Sequence, residues 1–528
     1  MAGQETIGPD IVSRALARNR LGVPSVVFFG IAGAAPLTVI LGAVTTIYAV
    51  VGNTAVPVVY FAAAIILSIF TVGFVAMSRH IVNSGAFYSY ISHGLGRVIG
   101  VGAAFVALPA YSVMQIGLFG LFGVVASGIL ASFGVHATWF VCAIVAWAII
   151  AVLGLLWVDL SGKVLAVLLI AEIALVLIYD AIMVAHPYGG HVSFATLSPV
   201  KLATPEVGAM LVLAIAGFVG FEATVVLSEE ARDPKRTIAR ATHWAVWIPG
   251  LLCGLSAWAM SVAAGPGRIV AVAKDQTTNL VFFLVGAHVP TAVIDVGYLF
   301  FLTSVFAALL AFHAAVARYQ FALGREGVLP EVWGRTQRRT GAPLLGSITQ
   351  SALAIVVLIV YQLAGVDPLV HLFAWLTVVG GLGILILMWA ASAAVIAFFI
   401  RNRGLENAWR AVIAPLVAFL LLSVVLAATI IGLGDLLQVN SHSIFQWLFP
   451  TAYAAFALTG FLWAAIMRAA RPDVYATIGR GAEGALAGGA AGGGAGGGGI
   501  TIASIPPQRA APTTAPFEQA VSARQQRF

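Results

Sequence analysis

Apolar residues run along this chain in stretches of about twenty or more, parted by short polar loops, with no strict alternation inside the runs. Crossing ~30 Å of hydrocarbon as a helix takes about twenty apolar residues. On that measure the pattern predicts twelve membrane-spanning helices. They lie near 23–51, 56–77, 98–130, 137–157, 163–184, 207–228, 242–264, 289–317, 346–363, 369–399, 411–432 and 445–467. The runs lack the dyad repeat of a barrel strand, so the expected fold class is an all-α integral membrane protein.

Two spans interrupt themselves. Span one reads "SVVFFGIAGAAPLTVILGAV", with Gly30, Gly33 and Pro36 in mid-run; span six reads "LAIAGFVGFEATVVL", with Gly217 and Gly220. They stand five spans apart, so they enter the bilayer from opposite faces, the signature of a five-plus-five inverted repeat. A continuous helix satisfies its own amides and carbonyls, whereas a broken one frees them at membrane depth, tolerable where they line a cavity or meet a ligand. Pro36 suits the first turn of the half-helix that follows, because its missing N–H has no partner there anyway. The amides of Ala32, Gly33, Ala34 and Ala35 are then expected to face an anion. The carbonyls from Ala216 to Val219 are expected to face a cation such as an ammonium group. A carboxylate site opposite an amine site describes an amino acid. Small residues also serve close helix packing, but two Gly-x-x-Gly breaks in register, one with proline and one followed by Glu222, favour a ligand site.

Composition agrees with a membrane setting: 61% of residues are hydrophobic and 9% charged, and the mean hydropathy is +1.02. The net charge of +7 is spread between spans rather than gathered in a patch, so no nucleic-acid partner is expected. With the N-terminus placed inside, 24 of the 27 Lys and Arg residues fall on the cytoplasmic side, leaving Lys201, Arg268 and Lys274 outside. Both termini are therefore expected in the cytoplasm, with the chain in the plasma membrane. The polar start "MAGQETIGPDIVSRALARNR" and the length of the first apolar run predict no cleavable leader. Residues 1–22 read as a cytoplasmic segment, 23–470 as the helical domain, and 471–528, with "GALAGGAAGGGAGGGG", as a disordered cytoplasmic tail. The two cysteines, Cys142 and Cys253, both lie in apolar runs, which excludes a disulfide scaffold and a cysteine-based zinc site.

Glu172 and Glu222 are the carboxylates deepest in apolar runs, and a mid-membrane acid is a functional candidate because burying it costs several kcal/mol unless it is neutral or paired. Each is a candidate for proton coupling, against the alternative of a carboxyl that ties two helices together. Tyr111 and Gln115, one turn apart on span three, either face the substrate or bond between helices. His313 is expected to hydrogen-bond locally.

"GFVGFEATVVLSEEARDPKRTIARA" resembles the sixth helix and following loop of the amino acid–polyamine–organocation transporters. "GIAGAAP", "NSGAFYSYISHGLGR" and "ARYQFALGREGVLP" resemble three further stretches of that family, in the same order, over roughly residues 20 to 470. The resemblance implies a secondary transporter with a ten-helix inverted-repeat core, discontinuous helices one and six, and two extra helices. Carried over by position, Ile31 to Ala35 would bind a substrate carboxylate, and Ala216, Gly217 and Phe218 its ammonium group. The chain departs from the family in having "AGA" for the commoner G-[ST]-G, which removes a hydroxyl, and Ala216 where several members carry a bulky aromatic gate.

The expectation is therefore a secondary active transporter for a small molecule, an amino acid taken up with protons by alternating access, with sodium as the alternative ion and neither cofactor nor metal. An amine or polyamine carrier and an amino acid exchanger are the rival readings within that class, and a transporter-like sensor is the rival outside it. No HExxH, GxSxG or P-loop occurs, which argues against an enzyme.

Overall fold

The computed structural model describes residues 23–481, apart from 82–84, 157–161, 205, 227–233, 338–339 and 441–442. Among the described residues no strand occurs, and eleven helices are long and apolar enough to cross a membrane. In chain order the principal helices are α1 (Val23–Ala34), α2 (Pro36–Val51), α3 (Val56–Ser78), α4 (Ala86–Leu95), α5 (Arg97–Ser132), α6 (Trp139–Leu156), α7 (Gly162–Ala185), α8 (Val207–Phe218) and α9 (Ala223–Val226). Then follow α10 (Pro234–Ala264), α11 (Ile269–Gln276), α12 (Leu280–Gly286), α13 (Thr291–Arg325), α14 (Leu344–Ala364), α15 (Pro368–Arg401), α16 (Trp409–Ile431), α17 (Phe445–Ala470) and α18 (Pro472–Thr477).

The first and sixth expected spans are each two short helices, α1–α2 and α8–α9, where glycine and proline predict interruptions. One apolar stretch departs from expectation: α11 and α12, within 269–286, lie in a segment that reads as a loop because its mean hydropathy is only 1.2. Its polar "KDQTTN" centre keeps it from reading as a span.

The helix α5 is the hub, packing on α13, α15 and α17, while α10 packs on α3 and on the broken α1. At the perimeter, α6, α14 and α17 expose Val145, Ile149, Val356, Val360, Leu458 and Leu462, the faces that a bilayer would cover. Segments expected on one side of the membrane meet at one end of the bundle. Arg79 and Arg410 both donate to Glu406, at 3.1 and 3.4 Å. At the other end Lys201 donates to Thr54 at 2.7 Å, and the Arg268 guanidinium lies 4.5 Å from the Tyr188 ring centre.

Residues 472–477, expected to belong to the tail, form α18. The strap formed by α18 and the residues after it folds back onto α4 and the end of α13. Arg97 donates to the Ala476 carbonyl at 3.0 Å, and Ser89 donates to that of Gly479 at 3.1 Å. The carboxylate of Glu326, 2% exposed, accepts the backbone N–H of Gly479 and of Gly481, at 2.5 and 2.8 Å, and the hydroxyl of Tyr88 at 2.5 Å. Gly479 and Gly481 have φ of +83° and +62°, conformations that glycine adopts without strain. The N-terminal segment 1–22 and the Gly-rich stretch 484–499 lie outside the described residues.

Candidate functional site

The two helix breaks touch. A Cβ on Gly33 would stand 3.1 Å from the Gly220 Cα, and one on Gly220 would stand 2.4 Å from the Gly33 carbonyl carbon. Any side chain at Gly220 would drive backbone into backbone, and its φ of +123° adds a second reason for glycine. Glycines at both breaks thus let two interrupted helices cross at van der Waals distance.

The interruptions are built differently. In the first, Ala35 takes a left-handed conformation, φ 38° and ψ 70°, and Pro36 opens α2. The free amides fall one turn later than the sequence predicts. Ala32, Gly33 and Ala34 belong to α1, and the Ala35 N–H donates to the Ile31 carbonyl at 2.9 Å. The donors that the break leaves without a helical acceptor are those in the first turn of α2, on Leu37 and Thr38. In the second, Val219 is extended, with ψ 129°. Two of the four carbonyls expected to be free are engaged there: Ala216 accepts from Val219 N–H at 3.2 Å, and Phe218 from Phe221 N–H at 3.3 Å.

A cavity of about 50 Å³ lies beside both breaks. Gly33, Ala34, Ala35, Ala216 and Gly217 line it, with Thr38, Met114, Val219, Phe312, Phe373 and Thr377 among its other walls. Thr38 is 5% exposed, and its hydroxyl has no hydrogen-bond partner. It stands three residues past the break, a polar group on the cavity wall that sequence reading does not single out. A hydroxyl at the third position of a half-helix is the signal available.

Among the described side chains, those of Ile31, Tyr111 and Phe218 are not on this wall. Ile31 is buried in packing, and the side chain of Ala32 lies outside the described residues. Phe218 packs its ring 6.3 Å from that of Tyr60 and against Gly250 of α10. Tyr111 bonds between helices: its hydroxyl donates to Glu222 Oε1 at 2.7 Å. The other oxygen of Glu222 accepts the Gly220 N–H at 3.0 Å, so this carboxylate, 1% exposed, pins the second break to α5.

Glu172, on α7, is also buried, at 5% exposure, and faces Ser304 of α13, whose hydroxyl makes no hydrogen bond of good geometry. Gln115 and His313 belong to a buried chain of polar groups. Ser112 donates to Gln350 at 2.9 Å, Gln350 to Gln115 at 2.6 Å, and Gln115 to His313 Nδ1 at 3.2 Å. His313 Nε2 lies 2.7 Å from the Ser347 hydroxyl, which makes the histidine a local tie between α5, α13 and α14. Among the described residues no group of three or more His, Cys, Asp and Glu side chains is placed to hold a metal.

Comparison with known proteins agrees with this architecture. Over 140 residues the chain is 29% identical to the low-affinity putrescine importer PlaP of Escherichia coli, in strain K12 and in O157:H7 alike; the match covers 26% of this chain and 30% of the importer's length. The chain thus spans under a third of that relative. The crystal structure of a single-site mutant of the Eremococcus coleocola manganese transporter superposes with a TM-score of 0.51 at 10% identity, covering 87% of this chain and 98% of the other, a likeness of fold. The model of the amino acid permease family matches residues 25–474, nearly all of the helical body. The protein belongs to the amino acid permease family and is a multi-pass membrane protein.

Proposed function

We propose that the chain is a secondary transporter of twelve spans built on a five-plus-five inverted repeat, and that the cavity at the paired breaks binds a small amino acid. One observation carries the reading: the cavity pairs the start of α2, with the unpartnered Thr38 hydroxyl, with the breakpoint of α8, and no carboxylate is among its described lining residues. A substrate carboxylate finds donors at the start of α2, where the helix dipole adds partial positive charge. The substrate ammonium group lies toward the carbonyl-rich end of α8. Thr38 takes the place of the hydroxyl missing from "AGA". The Gly and Ala walls favour a small substrate.

An amine such as putrescine is the second reading, supported by the importer to which part of the chain is similar. The cavity lining argues against it, because each ammonium group of a diamine needs an acceptor, and the buried Glu222 already accepts two hydrogen bonds. Uptake is proton-linked, with Glu172 as the coupling group, since its carboxyl is buried beside Ser304, whose hydroxyl makes no hydrogen bond of good geometry, and an anion there is costly. The face carrying Arg79 and Glu406 is cytoplasmic, and so are both termini.

Purified protein in liposomes, screened with radiolabelled amino acids and putrescine with and without an inward proton gradient, tests the substrate and the coupling together. Accumulation of small amino acids that rises with the gradient is the expected result. Putrescine uptake without amino acid uptake would overturn the cavity assignment, and uptake that needs internal substrate and ignores the gradient would identify an exchanger. Orientation is read separately. With Cys142 and Cys253 replaced, Gly365→Cys should react with an impermeant reagent from outside and Gly404→Cys should not.

A further inference from the structure

Two cavities in this molecule meet at one side chain. The central one lies at the helix breaks. The second, about 200 Å³, lies toward the end of the bundle read as external and is lined by Thr46, Thr277, Thr278, Asp367, Trp375 and Gln438, among others. Phe373 is the residue that the two linings share.

The ring of Phe373 is buried, at 6% exposure, and reaches the first broken helix: a Cβ on Gly42 of α2 would stand 3.4 Å from its Cζ. On the other side a Cβ on Gly117 of α5 would lie 3.1 and 3.4 Å from the carbonyl oxygens of Leu372 and Phe373. Glycines on α2 and α5 thus leave a slot in which this residue stands across the path between the cavities. The segment that carries it, Pro368–Ala374, is wound as a π-helix, and so is Val39–Val44 of α2, against which it closes. Wide turns of this kind are frequent at functional sites. Asp367 anchors the start of the segment by accepting from the N–H groups of Leu369 and Val370, at 2.8 and 2.9 Å.

Backbone strain gathers at the same place. Among the described residues four non-glycine positions have positive φ, and three of them line these cavities: Ala35 the central one, Thr277 and Gln438 the outer one. Strained positions of this kind persist where the surrounding structure enforces them and cluster at moving or binding sites. Helix α8 has no room for a blocking ring of its own, because a Cβ on Gly381 of α15 would already stand 2.9 Å from the Ala216 Cβ.

We propose that Phe373 is the partition that a solute must displace to pass from the outer cavity to the central one, and that the volume of its ring limits the size of the solute admitted. A space of about 50 Å³ holds a few waters, given that one water needs ~10–15 Å³ by this measure, so admission of substrate requires a wall to move. Phe373 is a wall with open space on both sides. The proposal rests on the central cavity being the substrate site.

The test reads access rather than transport, so it stands whichever substrate is carried. In cells, with Cys142 and Cys253 replaced, a cysteine is placed in the central cavity by Thr38→Cys or in the outer one by Thr278→Cys, and an impermeant thiol reagent is added outside. Thr278→Cys should label at one rate whatever occupies position 373, which also reports that each variant is folded. Thr38→Cys should label slowly beside Phe373, roughly tenfold or more faster with Phe373→Ala, at an intermediate rate with Phe373→Leu, and more slowly with Phe373→Trp. Equal labelling of Thr38→Cys across this series would overturn the partition. Labelling of Thr278→Cys only from the cytoplasmic side would overturn it too, by placing the second cavity on the wrong face.

Discussion

Glu222 and Glu172 are both buried in the apolar interior, yet their surroundings differ. Glu222 accepts a tyrosine hydroxyl and a glycine amide, one on each oxygen. Glu172 faces a serine hydroxyl that does not bond to it in good geometry. A carboxylate bonded on both oxygens is a fastener, since its removal leaves Tyr111 and the Gly220 N–H without their acceptor in a water-free place. An unmatched one contributes little to packing and retains its proton chemistry. Burial alone, which is all that apolar flanks reveal, does not distinguish the two; the bonded partners do.

Four substitutions separate the fastener from the unmatched acid. Glu222→Ala has the largest expected effect, because it orphans two buried donors at ~1–3 kcal/mol each. Thermal unfolding of the purified protein in detergent should show a drop of many degrees and substrate binding should vanish. An unchanged melting temperature would show that Glu222 fastens nothing. Tyr111→Phe removes one of the two bonds and should cost about 0.6 kcal/mol, the average for hydrogen bonds between helices in membranes, and no more than ~1.7 kcal/mol. Glu172→Gln should shift stability by less than ~0.5 kcal/mol, the usual scale for a change that breaks no packing or bond. It should preserve substrate binding and abolish the dependence of uptake on the proton gradient. If uptake in that variant still follows the gradient, Glu172 is structural and the contrast fails on its functional side. Smallest of all is Ser304→Ala, expected to leave stability within ~0.5 kcal/mol and to alter only the pH at which uptake is half-maximal. A large loss of stability there would mean that Ser304 and Glu172 are a bonded pair.

Much of the architecture is legible in the residues alone. Long apolar runs place the helices because every backbone group in a bilayer must be bonded internally. Gly33, Pro36, Gly217 and Gly220 mark the two breaks because such residues weaken a helix wherever they fall. The amides left free are less legible, because the left-handed turn sits on Ala35, a residue with no special tendency toward it, and the donors shift to Leu37 and Thr38. Phe373 is invisible, being one aromatic among 31 phenylalanines in a chain where apolar residues carry no period. Contacts distant in sequence are also hidden. Glu326 reads as part of a loop signature, and its partners Gly479 and Gly481 lie 153 and 155 residues away.

The strap at residues 471–481 decides where this protein tolerates an attached reporter or an early stop. A fluorescent protein fused at Ala476 would replace the segment that supplies the Gly479 and Gly481 amides to Glu326, and so would a chain ending there. The same fusion placed beyond residue 481 retains both amides. Size-exclusion profiles of the two fusions should differ, the shorter one aggregating and the longer one monodisperse, so the usable C-terminal boundary for purification lies past Gly481 rather than at the end of the last long helix.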